Sequence, residues 1–147
     1  MRRLAIAGAA VLMLAGSVGI SAQGRQATVE VYKSPTCGCC SKWADHLRSH
    51  GFQVRVTDTE TVDQLKTKYG VPRQARSCHT ALVGGYVIEG HVPAADVQRL
   101  LKDRPAVVGI AVPGMPIGSP GMEGGSKEAY EVLTFDATGK TTVFARR

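Results

Sequence analysis

The 147-residue sequence has no cluster of basic residues, no apolar run of membrane-spanning length and no long internal repeat. Its formal charge of +6 is spread along the chain, with Arg2 and Arg3 supplying two of those charges. Dispersed charge keeps a surface solvated and leaves no footprint for nucleic acid. The most continuous apolar stretch, Leu4 to Ile20, is uncharged, yet it falls short of the roughly 20 residues that a spanning helix needs. Placed behind Arg2-Arg3 and ahead of the small residues Ser21 and Ala22, it reads as a secretory signal peptide over residues 1–22. An uncleaved anchor is the alternative reading. The arginine pair lacks the rest of a twin-arginine signal. Residues 23–147 then form one exported domain with no stable membrane span after cleavage, long enough to bury a core of its own.

Regular elements alternate along this domain. "ATVEVYK" alternates Val29 and Val31 with polar neighbours and stops at Ser34-Pro35, as a strand does. "SKWADHLRSHG" places Trp43, Ala44 and Leu47 at helical spacing with Gly51 as its stop. "FQVRVTD" is a second strand, "TVDQLKTKYG" a short helix, "HTALVGGYVIEGHV" a hairpin turning at Gly84-Gly85, and "PAADVQRLLKD" a last helix. The segment "VVGIAVPGMPIGSPGMEGG" is so rich in Gly and Pro that it is expected to be a loop with no central strand. "AYEVLTFDATGKTTVFARR" closes the chain as a hairpin around Gly139. The order of elements is that of an α/β, thioredoxin-like fold with a C-terminal Gly/Pro/Met loop and β-hairpin. Within it, "SCHTALVGGYVIEGHV" resembles the glutaredoxin stretch in which a cis-proline precedes the hairpin. That resemblance puts Thr80 at the position of the proline, and brings Cys78, with His79 beside it, toward the helix N-terminus.

Three of the four cysteines, Cys37, Cys39 and Cys40, fall in "SPTCGCCSKW", just ahead of the first helix. Unpaired backbone N–H groups and the positive end of the helix dipole stabilise thiolates there, for nucleophilic attack and for metal binding alike. A dithiol oxidoreductase needs only Cys37 and Cys40. A framework of structural disulfides would have to join Cys78 to the cluster and leave an awkward short-range second bridge. Met115 and Met122, each following Pro-Gly in the loop, add soft thioethers. Cysteines with methionines suit Cu(I) better than zinc. Four thiolates can bridge several Cu(I) ions, so the ligand set also allows a polynuclear cluster. His46 and His50 are one helical turn apart, and His46 lies two turns, roughly 10 Å, along the helix from Cys39, too far to share a metal with it. His79 is the better histidine ligand candidate, and His91 in "GHVP" reads as a structural residue of the turn into the last helix.

"YKSPTCGCCSKW", "SCHTALVGGYVIEGHVPA" and "VPGMPIGSPGME" together resemble the CopG type of copper-resistance proteins, a family long described as a domain of unknown function. The resemblance runs from Thr28 to Arg147. It implies a thioredoxin-like periplasmic protein that handles copper ions, with periplasmic copper-handling proteins as partners. Its implied metal residues are Cys37, Cys39, Cys40 and Cys78, with Met115 and Met122 beside them. Thiol–disulfide exchange through Cys37 and Cys40 is the alternative activity.

Overall fold

The computed structural model describes residues 27–147. The signal peptide expected over residues 1–22 lies outside this range. The elements are β1 (Val29–Lys33), α1 (Gly38–Ser49), β2 (Val54–Asp58), α2 (Val62–Lys68), β3 (Thr80–Val83), β4 (Tyr86–Glu89), α3 (Ala94–Asp103), β5 (Gly109–Ala111), β6 (Glu131–Phe135) and β7 (Thr141–Arg146), with a single 3-10 turn at Arg73–Ala75. All seven strands join one mixed sheet in the order β2-β1-β3-β4-β5-β6-β7. The pairs β1–β2 and β4–β5 are parallel and the other pairs antiparallel. No helix among the described residues is long and apolar enough to cross a membrane.

Strand alternation divides the core between the two faces of the sheet. Val29 and Val31, Ala81 and Val83, Tyr86 and Ile88, Ile110 and Val132 pack with Trp43 and Leu47 of α1 and Val97 and Leu100 of α3. Leu82, Val87, Ala111 and Phe135 point the other way, toward Tyr69, Val71 and Ala75. The Trp43 indole N–H donates to the Val92 carbonyl at 2.8 Å, locking α1 to the segment between β4 and α3. At the far end, the Arg147 guanidinium grips the buried Asp96 carboxylate with two hydrogen bonds, tying the end of the chain to α3.

One expectation is overturned. The segment Val107–Gly125 is not loop throughout, because Gly109–Ala111 forms a fully buried strand between β4 and β6. Gly109 makes this possible: a Cβ there would stand 2.0 Å from the Val87 carbonyl oxygen and 2.9 Å from the Phe135 ring. A glycine inside a strand thus marks the close approach of a neighbouring backbone. The prolines that forbid regular structure begin only at Pro113, past the end of this short strand.

Candidate metal centre

Cys37 occupies the N-cap of α1, and Cys39 and Cys40 lie in its first turn. No side chain caps this end and no acidic residue sits in the turn, so its backbone N–H groups are not taken up by a capping side chain. Cys78 arrives from the segment that leads into β3. The four sulfurs lie within 4.8 Å of one another. Tetrahedral thiolates on one ion at about 2.3 Å stand about 3.8 Å apart, so a cluster this tight is on the scale of metal coordination. In the structure Cys37 and Cys40 are joined as a disulfide, while Cys39 and Cys78 are free. The Cys78 sulfur is 3.4 Å from that of Cys40, and the Cys39 sulfur 3.4 Å from that of Cys37. The short-range bridge forms, and Cys78 stays out of any disulfide. Burial and the neighbouring Cys39 push the Cys78 thiol up to about 11 in the absence of metal.

A second donor group shares Cys78. Its sulfur lies 3.3 Å from His79 Nδ1 and 3.0 Å from His91 Nε2, and the three donor atoms fall within 4.8 Å of one another. His91 Nδ1–H donates to the Pro120 carbonyl at 2.7 Å. That bond fixes the tautomer and leaves the Nε2 lone pair facing the sulfur. The His91 ring therefore belongs to the site, which the reading of "GHVP" as a turn missed. A usable signal was present in the hairpin. Gly84 and Gly85, both at positive φ, make a two-residue turn, which pairs Thr80 with Glu89. Two residues farther out on each strand, Cys78 comes opposite His91.

His79 is wholly buried, with its ring 4.3 Å from that of Trp43 and no hydrogen-bond partner for Nε2. Burial, followed by the charges of His91 and Lys66, holds its pKa well below the ordinary 6.5, so the native ring is neutral. The unfolded chain takes up a proton near 6.5 that the native chain refuses, so stability is full above that value and declines as pH falls below it. In the metal-free protein this one group contributes a slope approaching about 1.4 kcal/mol per pH unit. Urea midpoints measured from pH 7.5 to 5.5 are expected to fall, and to fall less steeply in His79→Gln. A wild-type midpoint that stays level over this range would show that His79 is not held neutral by burial.

Beneath Cys78 lies a buried polar network. Lys66 Nζ donates to Glu89 Oε1 at 2.6 Å and to Thr80 Oγ1 at 3.1 Å, while Thr80 Oγ1 donates to Glu89 Oε2 at 2.7 Å. The Ser77 N–H donates to Glu89 Oε1 at 2.7 Å. Glu89 thus holds the residues on both sides of Cys78-His79. Burial raises the Glu89 pKa, outweighing the opposite pull of Lys66. Thr80, expected where glutaredoxin-like chains carry proline, is part of this network. A polar cleft of about 280 Å³, lined by Ser34, Thr59, Asp63, Lys66, Ser77 and Cys78 among others, reaches the thiol from the surface.

The methionine loop is anchored on either side of the site. Gly114 bonds through its N–H to the Arg76 carbonyl and through its carbonyl to the Ser77 hydroxyl, which places Met115 next to the Cys78 segment with half of its surface exposed. Gly121 packs on the first turn of α1, where a Cβ would stand 2.6 Å from the Cys39 carbonyl oxygen and 3.3 Å from His91 Nδ1. Met122 follows it, half-buried. The other histidine pair is separate. His46 Nε2 accepts the Ala94 N–H at 3.1 Å and so braces α1 against α3, while His50 Nδ1 lies 2.8 Å from the His46 carbonyl at the end of its own helix.

Comparison with known proteins places the chain among relatives. Two solved structures named "Copper resistance protein copG- Form 2" and "Copper resistance protein copG- Form 1" are each 41% identical to the chain, with TM-scores of 0.79 and 0.78. Each alignment covers 83% of this chain and 98% of the other. The chain belongs to the CopG family. A family profile described as "Protein of unknown function, DUF411" matches residues 75–122. That span takes in Cys78, His79, His91, Met115 and Met122, while the α1 cysteines of this CopG-family chain lie outside it. No curated protein matches the chain.

Proposed function

We propose that this CopG-family chain is a periplasmic Cu(I)-binding protein of copper resistance. Residues 23–147 act in it as one thioredoxin-like domain after removal of the signal peptide over residues 1–22. The observation that carries the reading is the convergence of four sulfurs within 4.8 Å at an uncapped helix N-terminus. Exchange of the Cys37–Cys40 disulfide with an external dithiol, which gives up two electrons and two protons and leaves as its own disulfide, frees both sulfurs as thiols. Cys37, Cys39, Cys40 and Cys78 then bind as thiolates, and Met115 and Met122 add neutral thioether donors from the loop. This set suits Cu(I) and allows several ions to share bridging thiolates. Exchange with an external disulfide, which leaves as its dithiol, rejoins Cys37 to Cys40, withdraws two ligands and releases metal, which couples copper retention to the redox state of the protein.

The experiment is anaerobic titration of the reduced chain with Cu(I) against a competing chelator, followed by the same competition after oxidation of the disulfide. Reduced protein is expected to retain copper and oxidised protein to surrender it. If the reduced chain yields its copper to a weak competitor, the reading is wrong.

The disulfide itself favours a second reading, thiol–disulfide exchange on other proteins through Cys37 and Cys40. In that case turnover of a protein disulfide is expected to survive loss of Cys39, Cys78, Met115 and Met122. Against it stands Thr80, which the glutaredoxin resemblance sets at the proline position and which is committed to the Lys66–Glu89 network.

A further inference from the structure

We infer that the contact of His46 with Ala94 is a pH-sensitive latch between α1 and α3, closed while the imidazole is neutral and opened by its protonation. The N-terminus of α3 has no cap of its own, because the residue before it, Pro93, offers no side-chain acceptor. Asp96 and Val97 direct their N–H groups to the Pro93 carbonyl, at 2.9 and 3.2 Å. The Ala94 N–H is left without an acceptor in its own helix, as the first N–H groups of a helix are, and the residue is buried at 1% exposure. His46 Nε2, from the last turn of α1, supplies the missing acceptor at 3.1 Å. An acceptor at Nε2 places the proton of the neutral ring on Nδ1.

An imidazole accepts at Nε2 only while it is neutral. Protonation sets a second N–H opposite that of Ala94, so two donors face each other and a buried N–H loses its partner, which is costly. The positive end of the α3 dipole adds to the repulsion. Burial, followed by the charge of His50, holds the His46 pKa below its ordinary 6.5, against the opposite pull of Glu123. The His50 ring stands 4.3 Å away on the same helix. Glu123 reaches toward His46 from the methionine loop and also feels the charge of Lys42. On α3 the carboxylate of Asp96 is engaged by Arg147. The closed latch refuses a proton that the open form takes up near 6.5, so it is secure above that value and opens more readily as pH falls below it. The second tie between α1 and this part of the chain, from the Trp43 indole to the Val92 carbonyl, contains no titrating group and survives. Acid thus frees the start of α3 while the turn before it stays fastened. The input is the proton alone, with no change in the disulfide and no metal.

Nuclear magnetic resonance on the metal-free, disulfide-bonded chain tests the latch between pH 7.5 and 5.5. Long-range ¹⁵N spectra at pH 7.5 are expected to show His46 protonated on Nδ1. Hydrogen-exchange protection of the Ala94 amide, corrected for the intrinsic pH dependence of exchange, is expected to fall at least about threefold across this range, toward the limit of about tenfold per pH unit for a proton taken up on opening. Protection at Val31, inside the sheet, follows global unfolding and serves as the reference. The fall is expected to vanish in His46→Gln, to shrink in His50→Gln, which removes a neighbouring positive charge, and to grow in Glu123→Gln. Far-UV circular dichroism confirms that the variants are folded. The inference is overturned if His46 carries its proton on Nε2 at pH 7.5, if Ala94 protection stays level or moves only in step with Val31, or if the fall persists in His46→Gln. None of these outcomes depends on the copper reading.

Discussion

Cys78→Ser is expected to strip the reduced protein of most of its Cu(I) affinity, raising the dissociation constant at least a hundredfold. Residues that merely orient a metal ligand typically cost 10- to 100-fold in affinity when replaced, and removal of a shared ligand exceeds that range. Cys78 is the one thiol that reaches the cluster from a different part of the chain, and it stands in both donor groups. A hydroxyl is nearly isosteric but too hard for Cu(I). Competition with a Cu(I) chelator, run beside Cys39→Ser, measures the effect. Equal retention by wild type and Cys78→Ser would mean that the α1 cysteines bind copper without the β3 segment, and the convergent site would have to be abandoned.

Lys66→Met is expected to have the largest effect on stability. The ammonium and the Glu89 carboxylate are almost entirely sealed from solvent, at 3% and 0% side-chain exposure. Removing one partner of such a pair leaves a buried charge uncompensated, at a cost of about 3–5 kcal/mol. For a domain of this size that lowers Tm by about 10–20 °C. The double variant Lys66→Met with Glu89→Leu is expected to melt above the single variant, since no lone charge remains. It does not recover fully, because the Ser77 N–H and the Thr80 hydroxyl lose their acceptor. Scanning calorimetry on the metal-free protein separates the three. A single variant within a few degrees of wild type would show that the pair is not sealed as described. Because Glu89 orients the residues flanking Cys78-His79, copper retention is also expected to weaken in Lys66→Met at temperatures where it remains folded.

Much of the site was legible in the residues. Three cysteines ahead of an amphipathic helix place thiols at its N-terminus for local reasons, since helix periodicity and chain direction leave no other position. Hairpin patterning likewise sets the register at Gly84-Gly85, and with it the facing of Cys78 and His91. Other features were beyond reach. β5 escaped notice because it has three residues and owes its place to Gly109 lying against the Val87 backbone, a contact with a distant partner. The Lys66–Glu89–Thr80 network joins α2, β3 and β4, and nothing in the spacing of these residues announces it. His79 gave no sign that its Nε2 would be stranded beneath Trp43.

The sequence by itself determined the chemistry available: soft sulfur donors, a helix end to hold three of them, and a methionine-bearing loop too rich in proline and glycine to pack as a regular element. Tertiary structure decided how those donors are partitioned. It set Cys78 between the α1 cysteines and two imidazoles, and committed His46 to bracing α3. Periodicity is local, and a chain can display it a few residues at a time. Coordination depends on separations of a few ångströms between residues far apart in sequence, which only the packed sheet and its helices establish.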